Sequence, residues 1–281
     1  MAASRLLRMP GFVRLGIRID TAPNGVWLAL LAAALWPTAW WMGQRMLDGS
    51  DEPLGLLALA ALGVVLWRCR GRLRAAPRLA WLALALAGAV ASSALLWQVP
   101  PLLSSLLGLL ALGAGLAAFL PSAVATAPVL GLSLLSLPLL ASLQFYAGYP
   151  LRVVTAEASR WLLAAAFHAQ RSGASLLVDG QLVIVDAPCS GVQMLWLGYF
   201  TACVVALHSG QRDAGFLARL PAVSLLVLAG NVLRNTLLVA LEASGHHPAG
   251  WAHETVGLVV LAAVCAAIAR VMHVPNGGRH V

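Results

Sequence analysis

The chain has 281 residues, 60% of them hydrophobic and only 10% charged, with a net charge of +8 at pH 7 and a mean hydropathy of +0.86. Soluble domains average about 45–50% apolar and about 25% charged residues, so an ordinary soluble fold is excluded, and so is intrinsic disorder, which needs low hydrophobicity and high charge. A polytopic membrane protein remains. All 18 cations are arginine. They lie between apolar runs rather than along one soluble face, so they read as topology signals and no nucleic-acid partner is expected.

A membrane-spanning helix needs about 20 mostly apolar residues. In chain order such windows lie at 26–47, 54–67, 79–97, 102–120, 124–143, 189–208, 220–241 and 253–272. The predicted fold is therefore all-α, a bundle of about eight transmembrane helices. Positive charge marks cytoplasmic ends. Arg5, Arg8, Arg14 and Arg18 precede the first window, Arg68 to Arg78 follow the second, Arg212 and Arg219 follow the sixth, and Arg270 and Arg279 close the chain. Asp48, Asp51, Glu52, Glu157, Asp179, Asp186, Glu242 and Glu254 fall at the opposite ends. Both termini are thus expected on the cytoplasmic side of the cytoplasmic (inner) membrane. The first apolar run is too long for a cleavable signal and lacks a clean cleavage site. The segments expected are a basic cytoplasmic arm (1–25), a first helix set (26–143), an extracytoplasmic segment (144–188), a second helix set (189–273) and a cytoplasmic tail (274–281).

The segment 144–188 is not a simple span. Residues 155–170 have an amphipathic helical pattern that puts Glu157, Arg160, Trp161 and His168 on one face. After them, Asp179-Gly180 separates two apolar, β-branched runs, a strong hairpin signal. The hairpin leads into Asp186-Ala187-Pro188-Cys189, the head of the sixth window.

Ionisable groups inside a span cost roughly 2.5–3.5 kcal/mol and are functional candidates. Arg234 is the clearest. Fourteen residues from Leu220 at 1.5 Å each place it about 21 Å into a core about 30 Å thick, in its outer third. Asn231, Arg234, Asn235 and Glu242 form one polar stripe at helical spacing. A snorkelling arginine in a polar packing cluster is the competing reading. Cys189 sits in a first helical turn after Pro188, where the helix dipole favours the thiolate; a small buried hydrophobe is its alternative. Cys203 reads as that alternative. Cys69 lies in an arginine-rich loop and Cys265 in an apolar run, so no disulfide is expected. His253 opens the last window one turn before Gly257, either as a functional group or as an interfacial cap. His168 and the His246/His247 pair are weaker outer-side candidates, and His208 and His273 sit at the cytoplasmic ends.

Topology brings Cys189, Arg234 and His253 to one side at one depth. A cysteine with a histidine elsewhere in the chain is a nucleophile–base candidate, and the arginine suits a developing oxyanion or a substrate carboxylate. One cysteine and one histidine are too few ligands for zinc, so neither a metal nor another cofactor is expected. A transporter or a surface-polymer assembly factor is the non-catalytic alternative, although neither inverted repeats nor broken midplane helices are apparent. An intramembrane hydrolase shares the same acyl-enzyme.

The ordered set Cys189-Ser190-Gly191, Asn231-x-x-Arg234 and His253-x-x-x-Gly257, with Leu137-Pro138 and the Gly180 hairpin upstream, resembles the exosortase/archaeosortase family over roughly residues 130–261. The resemblance implies a membrane cysteine protease-transpeptidase on an all-membrane fold. Its substrates would be exported proteins with a C-terminal tripartite signal, namely a short motif such as Pro-Glu-Pro, an apolar helix and an arginine cluster. The acyl group would pass to a surface acceptor. It also implies Cys189 as nucleophile and Arg234 and His253 as catalytic partners; beside them, Ser190, Gln193, Asn231 and Asn235 are expected as substrate-binding or supporting residues. Pro188 stands where members often have alanine, and Val192-Gln193-Met194 replace a Leu-Arg-Ser that often follows the glycine. These departures indicate a divergent subfamily. Besides its substrates and membrane lipid, no partner is implied.

Overall fold

The computed structural model describes residues 24–49, 51–184, 190–244 and 250–273, with the side chains of 184 and 250–253 set aside. The described residues form ten α-helices, one short 3-10 turn and a three-stranded sheet. In order they are α1 (Asn24–Ala34), α2 (Trp36–Leu47), α3 (Gly55–Cys69), α4 (Leu79–Ala94), α5 (Pro101–Phe119), α6 (Thr126–Leu135), α7 (Leu140–Leu163), β1 (Ala169–Ser172), β2 (Ser175–Val178), β3 (Gln181–Ile184), α8 (Val192–His208), α9 (Asp213–Ala243) and α10 (Gly250–Met272).

Each expected apolar window holds a helix. Three helices, α5, α9 and the 254–272 part of α10, are long and apolar enough to cross a membrane, and up to five spans result if the bent pairs α1–α2 and α6–α7 each count as one. The first pair bends by 61° and the second by 93°. The second break contains Pro138, which donates no backbone hydrogen bond and keeps the preceding residue out of helical geometry. α4 and α8 are apolar but shorter.

The chain divides into two compact units, Met1–Trp41 with Leu66–Pro121, and Met42–Val65 with Ser122–Val281. In the first, α4 and α5 meet through small residues. A Cβ on Gly88 would lie 3.0 Å from the Ala111 Cβ, and the Ser92 hydroxyl donates to the Ser104 carbonyl at 2.8 Å. The arginine-rich loop closes onto the last turn of α5. There Arg74 and Arg78 donate backbone N–H groups to Phe119 and Ala118, and the Arg78 guanidinium donates to Ala117. Helix ends leave such carbonyls unpaired, and a cation complements the dipole there.

In the second unit, α8, α9 and α10 pack at close range through glycines. Gly198 rests against Val227 and Ile268, and Gly230 against Val264. Gln211 donates its side-chain N–H to the Met272 carbonyl, and the Asp213 carboxylate accepts the Ala127 N–H at the head of α6. Trp196 donates its indole N–H to the Leu135 carbonyl.

The sheet bears out the hairpin. Asp179 and Gly180 both take positive φ, 47° and 86°, as a type I′ turn requires. A second two-residue turn at Gly173-Ala174 adds β1, so the element is a three-stranded antiparallel sheet rather than a lone hairpin. Leu176, Val178 and Val183 bury one sheet face against Ala156 and Leu163 of α7 and Val239 of α9.

The expected amphipathic helix over 155–170 is corrected. α7 starts earlier, at Leu140, and ends at Leu163. His168 is therefore not on the helix with Glu157, Arg160 and Trp161. Its backbone N–H donates to the Asp179 carboxylate at 2.8 Å, and its carbonyl accepts the Asp179 N–H at 3.1 Å. Burying Phe167 beside the sheet core outweighs the helical propensity of the Ala164–Ala166 run.

Candidate active site

Three helix heads or faces converge on a cleft of about 300 Å³. Gln193 and Met194 reach it from α8, Arg234 from α9, and Glu254, Gly257 and Leu258 from α10. Arg234 is half-buried and its guanidinium lies on the bare backbone of Gly257. A Cβ there would stand 3.1 Å from Nε, 3.2 Å from Nη2 and 3.3 Å from Cζ. The glycine two turns into α10 is thus what lets a planar cation lie between two helices.

Cys189 falls in 185–189, outside the described residues, as do His246 and His247. The His253 backbone belongs to α10, but its side chain is not among those described. Their immediate neighbours are placed. Ser190 is buried; it accepts the Val192 N–H at 3.4 Å and donates its own proton to Gln144 Oε1 of α7 at 2.7 Å. Gly191 follows at φ +83°, and a Cβ on it would lie 2.7 Å from the Asn231 carboxamide carbon. The chain directly after Cys189 is therefore clamped between α7 and α9, in a backbone conformation that favours glycine.

The polar stripe of α9 divides. Arg234 faces α10, whereas the two asparagines face α7. Asn231 donates to Thr155 Oγ1 at 3.0 Å and Asn235 to Ser159 Oγ at 2.9 Å, and Ser159 in turn donates to the Val232 carbonyl at 3.3 Å. Both asparagines are buried. Gln193 is exposed at the rim and donates to Glu52 Oε2 at 3.0 Å. The loop carrying Glu52 is fixed by buried Asp51, which accepts the Ala141 N–H at 3.3 Å and pairs with Arg45 at 3.7 Å. Gln144, Thr155 and Ser159 escaped the sequence reading, and Glu52 entered it only as an outer-side charge. Only Gln144, a polar residue within an apolar run, carried a local signal.

Farther out, Glu157 of α7 accepts hydrogen bonds from Arg160 and from Arg171 of β1. These two guanidiniums, Arg160 first, hold its carboxyl down at about 2. Arg160 also covers the Trp161 ring, 4.5 Å from its centroid.

No curated protein and no solved structure matches the chain. The family model of the transmembrane exosortases matches residues 40–270. That stretch takes in the cleft, the clamp around Ser190 and most of both units, and the family's transmembrane character agrees with the apolar helices described above. With more than half of its length matched, the chain belongs to the transmembrane exosortase family, a family of membrane transpeptidases.

Proposed function

We propose that this protein cleaves the C-terminal sorting signal of exported proteins at the outer face of the cytoplasmic membrane and passes the acyl group to a surface acceptor. The observation that carries the reading is the cleft shared by α8, α9 and α10. Two of its lining residues are sequence neighbours of the proposed partners: Gln193 follows Cys189 by four residues, and Glu254 directly follows His253. Arg234 stands between them.

In the proposed reaction the Cys189 thiol gives its proton to His253 and its sulfur attacks the scissile carbonyl. The oxyanion of the tetrahedral intermediate is held by Arg234, a fixed cation in a partly desolvated site. Collapse breaks the C–N bond, and the leaving amine takes the proton from His253. The thioester on Cys189 is then attacked by an amine, a hydroxyl or water. His253 accepts the attacking group's proton, and the thiol is restored. Ser190, Asn231 and Asn235 act as supporting residues that fix the nucleophile's backbone and the α7–α9 contact. Gln193 faces the substrate at the rim.

Co-expression with an exported protein bearing a Pro-Glu-Pro motif, an apolar helix and an arginine tail tests this. Wild type is expected to remove the tail. Cys189→Ala, Arg234→Ala and His253→Ala are each expected to lose processing while accumulating normally. The product mass then separates transfer from hydrolysis. Tail removal by Cys189→Ala at the wild-type rate would sink the assignment.

A further inference from the structure

We infer that the outer edge of β3, unpaired among the described residues, is a docking rail on which an extended stretch of the substrate, next to its scissile bond, adds as a fourth strand. The inference rests on the transpeptidase reading above and specifies how that site holds its peptide.

The register fixes which backbone groups are available. Val178 pairs with Gln181 around the two-residue turn, Leu177 with Leu182, Leu176 with Val183 and Ser175 with Ile184. In an antiparallel ladder the pair closing such a turn exchanges both hydrogen bonds, and the pairs then alternate. Gln181 and Val183 therefore bond to β2, while Leu182 and Ile184 turn their N–H and C=O groups outward. The sheet order is β1-β2-β3, so outward means the open edge, and no described backbone group pairs with them there. The opposite edge is guarded. On β1, Arg171 is committed to Glu157 at 2.7 Å and to the Gly173 carbonyl at 2.8 Å, the kind of charged edge that discourages strand addition.

Position points to the occupant. β1 and β2 lie over α7 and β3 lies over α9. α9 carries Arg234 and packs against α10, which holds Glu254 and Gly257. Val239 lies under the sheet, and Arg234 is five residues lower on the same helix, about 7.5 Å. β3 ends five residues before Cys189, a reach of at most about 17 Å. A strand laid on this edge is therefore within reach of the cleft and of the chain that leads to the proposed nucleophile. Strand addition supplies affinity through the main chain and reads side chains at alternate positions. Leu182, 60% exposed on the unburied sheet face, is placed to touch them.

The test uses the full-length protein in nanodiscs and a synthetic peptide carrying the short motif, apolar helix and arginine tail. Single backbone N-methyl groups are placed at successive non-proline residues around the scissile bond, and affinity is measured on Cys189→Ala. The rail predicts losses of about tenfold at every second methylated position and little between them, roughly one hydrogen bond each. On the protein side, Leu182→Pro removes one outward N–H without touching the ladder. It should raise KM about tenfold with protected Val183 exchange, whereas Leu182→Ala should stay near wild type. Uniform losses or none along the peptide, or an unchanged KM in Leu182→Pro, would overturn the rail. So would a dimer through β3 that Leu182→Pro dissolves without weakening the peptide. Cleavage by wild type is read separately. A peptide bound in the alternating pattern but left uncut counts against Cys189 and not the rail, and a peptide cut without alternation does the reverse.

Discussion

At the scale of single residues, the contact between Arg234 and Gly257 ties a local absence to chemistry. A guanidinium can lie flat against another helix only where that helix offers no side chain. In Gly257→Ala the new methyl would sit 3.1–3.3 Å from three guanidinium atoms, so the cation must shift by a few tenths of an ångström. Misplacement by about 1 Å costs on the order of 10²-fold in rate. Gly257→Ala is therefore expected to process substrate about tenfold more slowly at normal protein levels, as read from the precursor-to-product ratio over time. Arg234 and Gly257 were legible as candidates because polarity deep in a span is expensive and an ordered motif set surrounds them. The orientation of Asn231 and Asn235 was not legible. Periodicity put them on a stripe with Arg234, but only the identity of the neighbouring helix decides which way each amide turns. Gln144 stayed hidden because its bond to Ser190 spans 46 positions.

Among the elements, α7 and α9 are held together by two rungs one turn apart, Thr155 to Asn231 and Ser159 to Asn235. The helices therefore run in the same direction along this contact. Side-chain hydrogen bonds between membrane helices average about 0.6 kcal/mol and reach about 1.7. A double-mutant cycle of Asn235→Ala and Ser159→Ala, read by unfolding in mixed micelles, is expected to give coupling in that range. A second prediction concerns the tie between β1 and α7. Glu157 has its carboxyl lowered from 4.5 to about 2, so the folded lobe prefers the ionised form. That contribution is fully present above pH 4.5 and disappears as pH falls through 2. Amide protection in β1 should fall from pH 5 to pH 2 in wild type, and Glu157→Gln should show the lower protection throughout. The hairpin was readable from Asp179-Gly180, yet β1 was not. Ala169-Gln170-Arg171-Ser172 has no β-branched or aromatic residue, and its strand state comes from pairing with β2 rather than from its own preference.

For the whole molecule, composition was enough to identify a mainly helical membrane protein, and the windows located its helices. The breaks were harder to see, since residues 134–143 stay apolar through a 93° turn with Pro138 as the main mark. The arrangement proposed from the arginines, eight crossings with both termini inside, makes a direct prediction. In a background without native cysteines, Gly71→Cys should resist an impermeant maleimide added outside until the membrane is opened, while Gln181→Cys should label at once. Labelling of Gly71→Cys in sealed cells would reverse the topology.

α9 continues unbroken for 31 residues, past Pro221 and through the level of Arg234, until it supports the sheet. At 1.5 Å per residue it is about 46 Å long, some 16 Å more than the hydrocarbon it crosses. In the proposed reaction the enzyme and its substrate are then two rods standing in one bilayer. The height of the scissile bond is set by the length of the substrate's own apolar helix, and that of Arg234 by α9. Adding one residue to a helical stretch below the bond would lift the target by about 1.5 Å and rotate it by about 100°. Recognition would then be vernier-like, with bilayer thickness itself bringing the two scales into or out of coincidence.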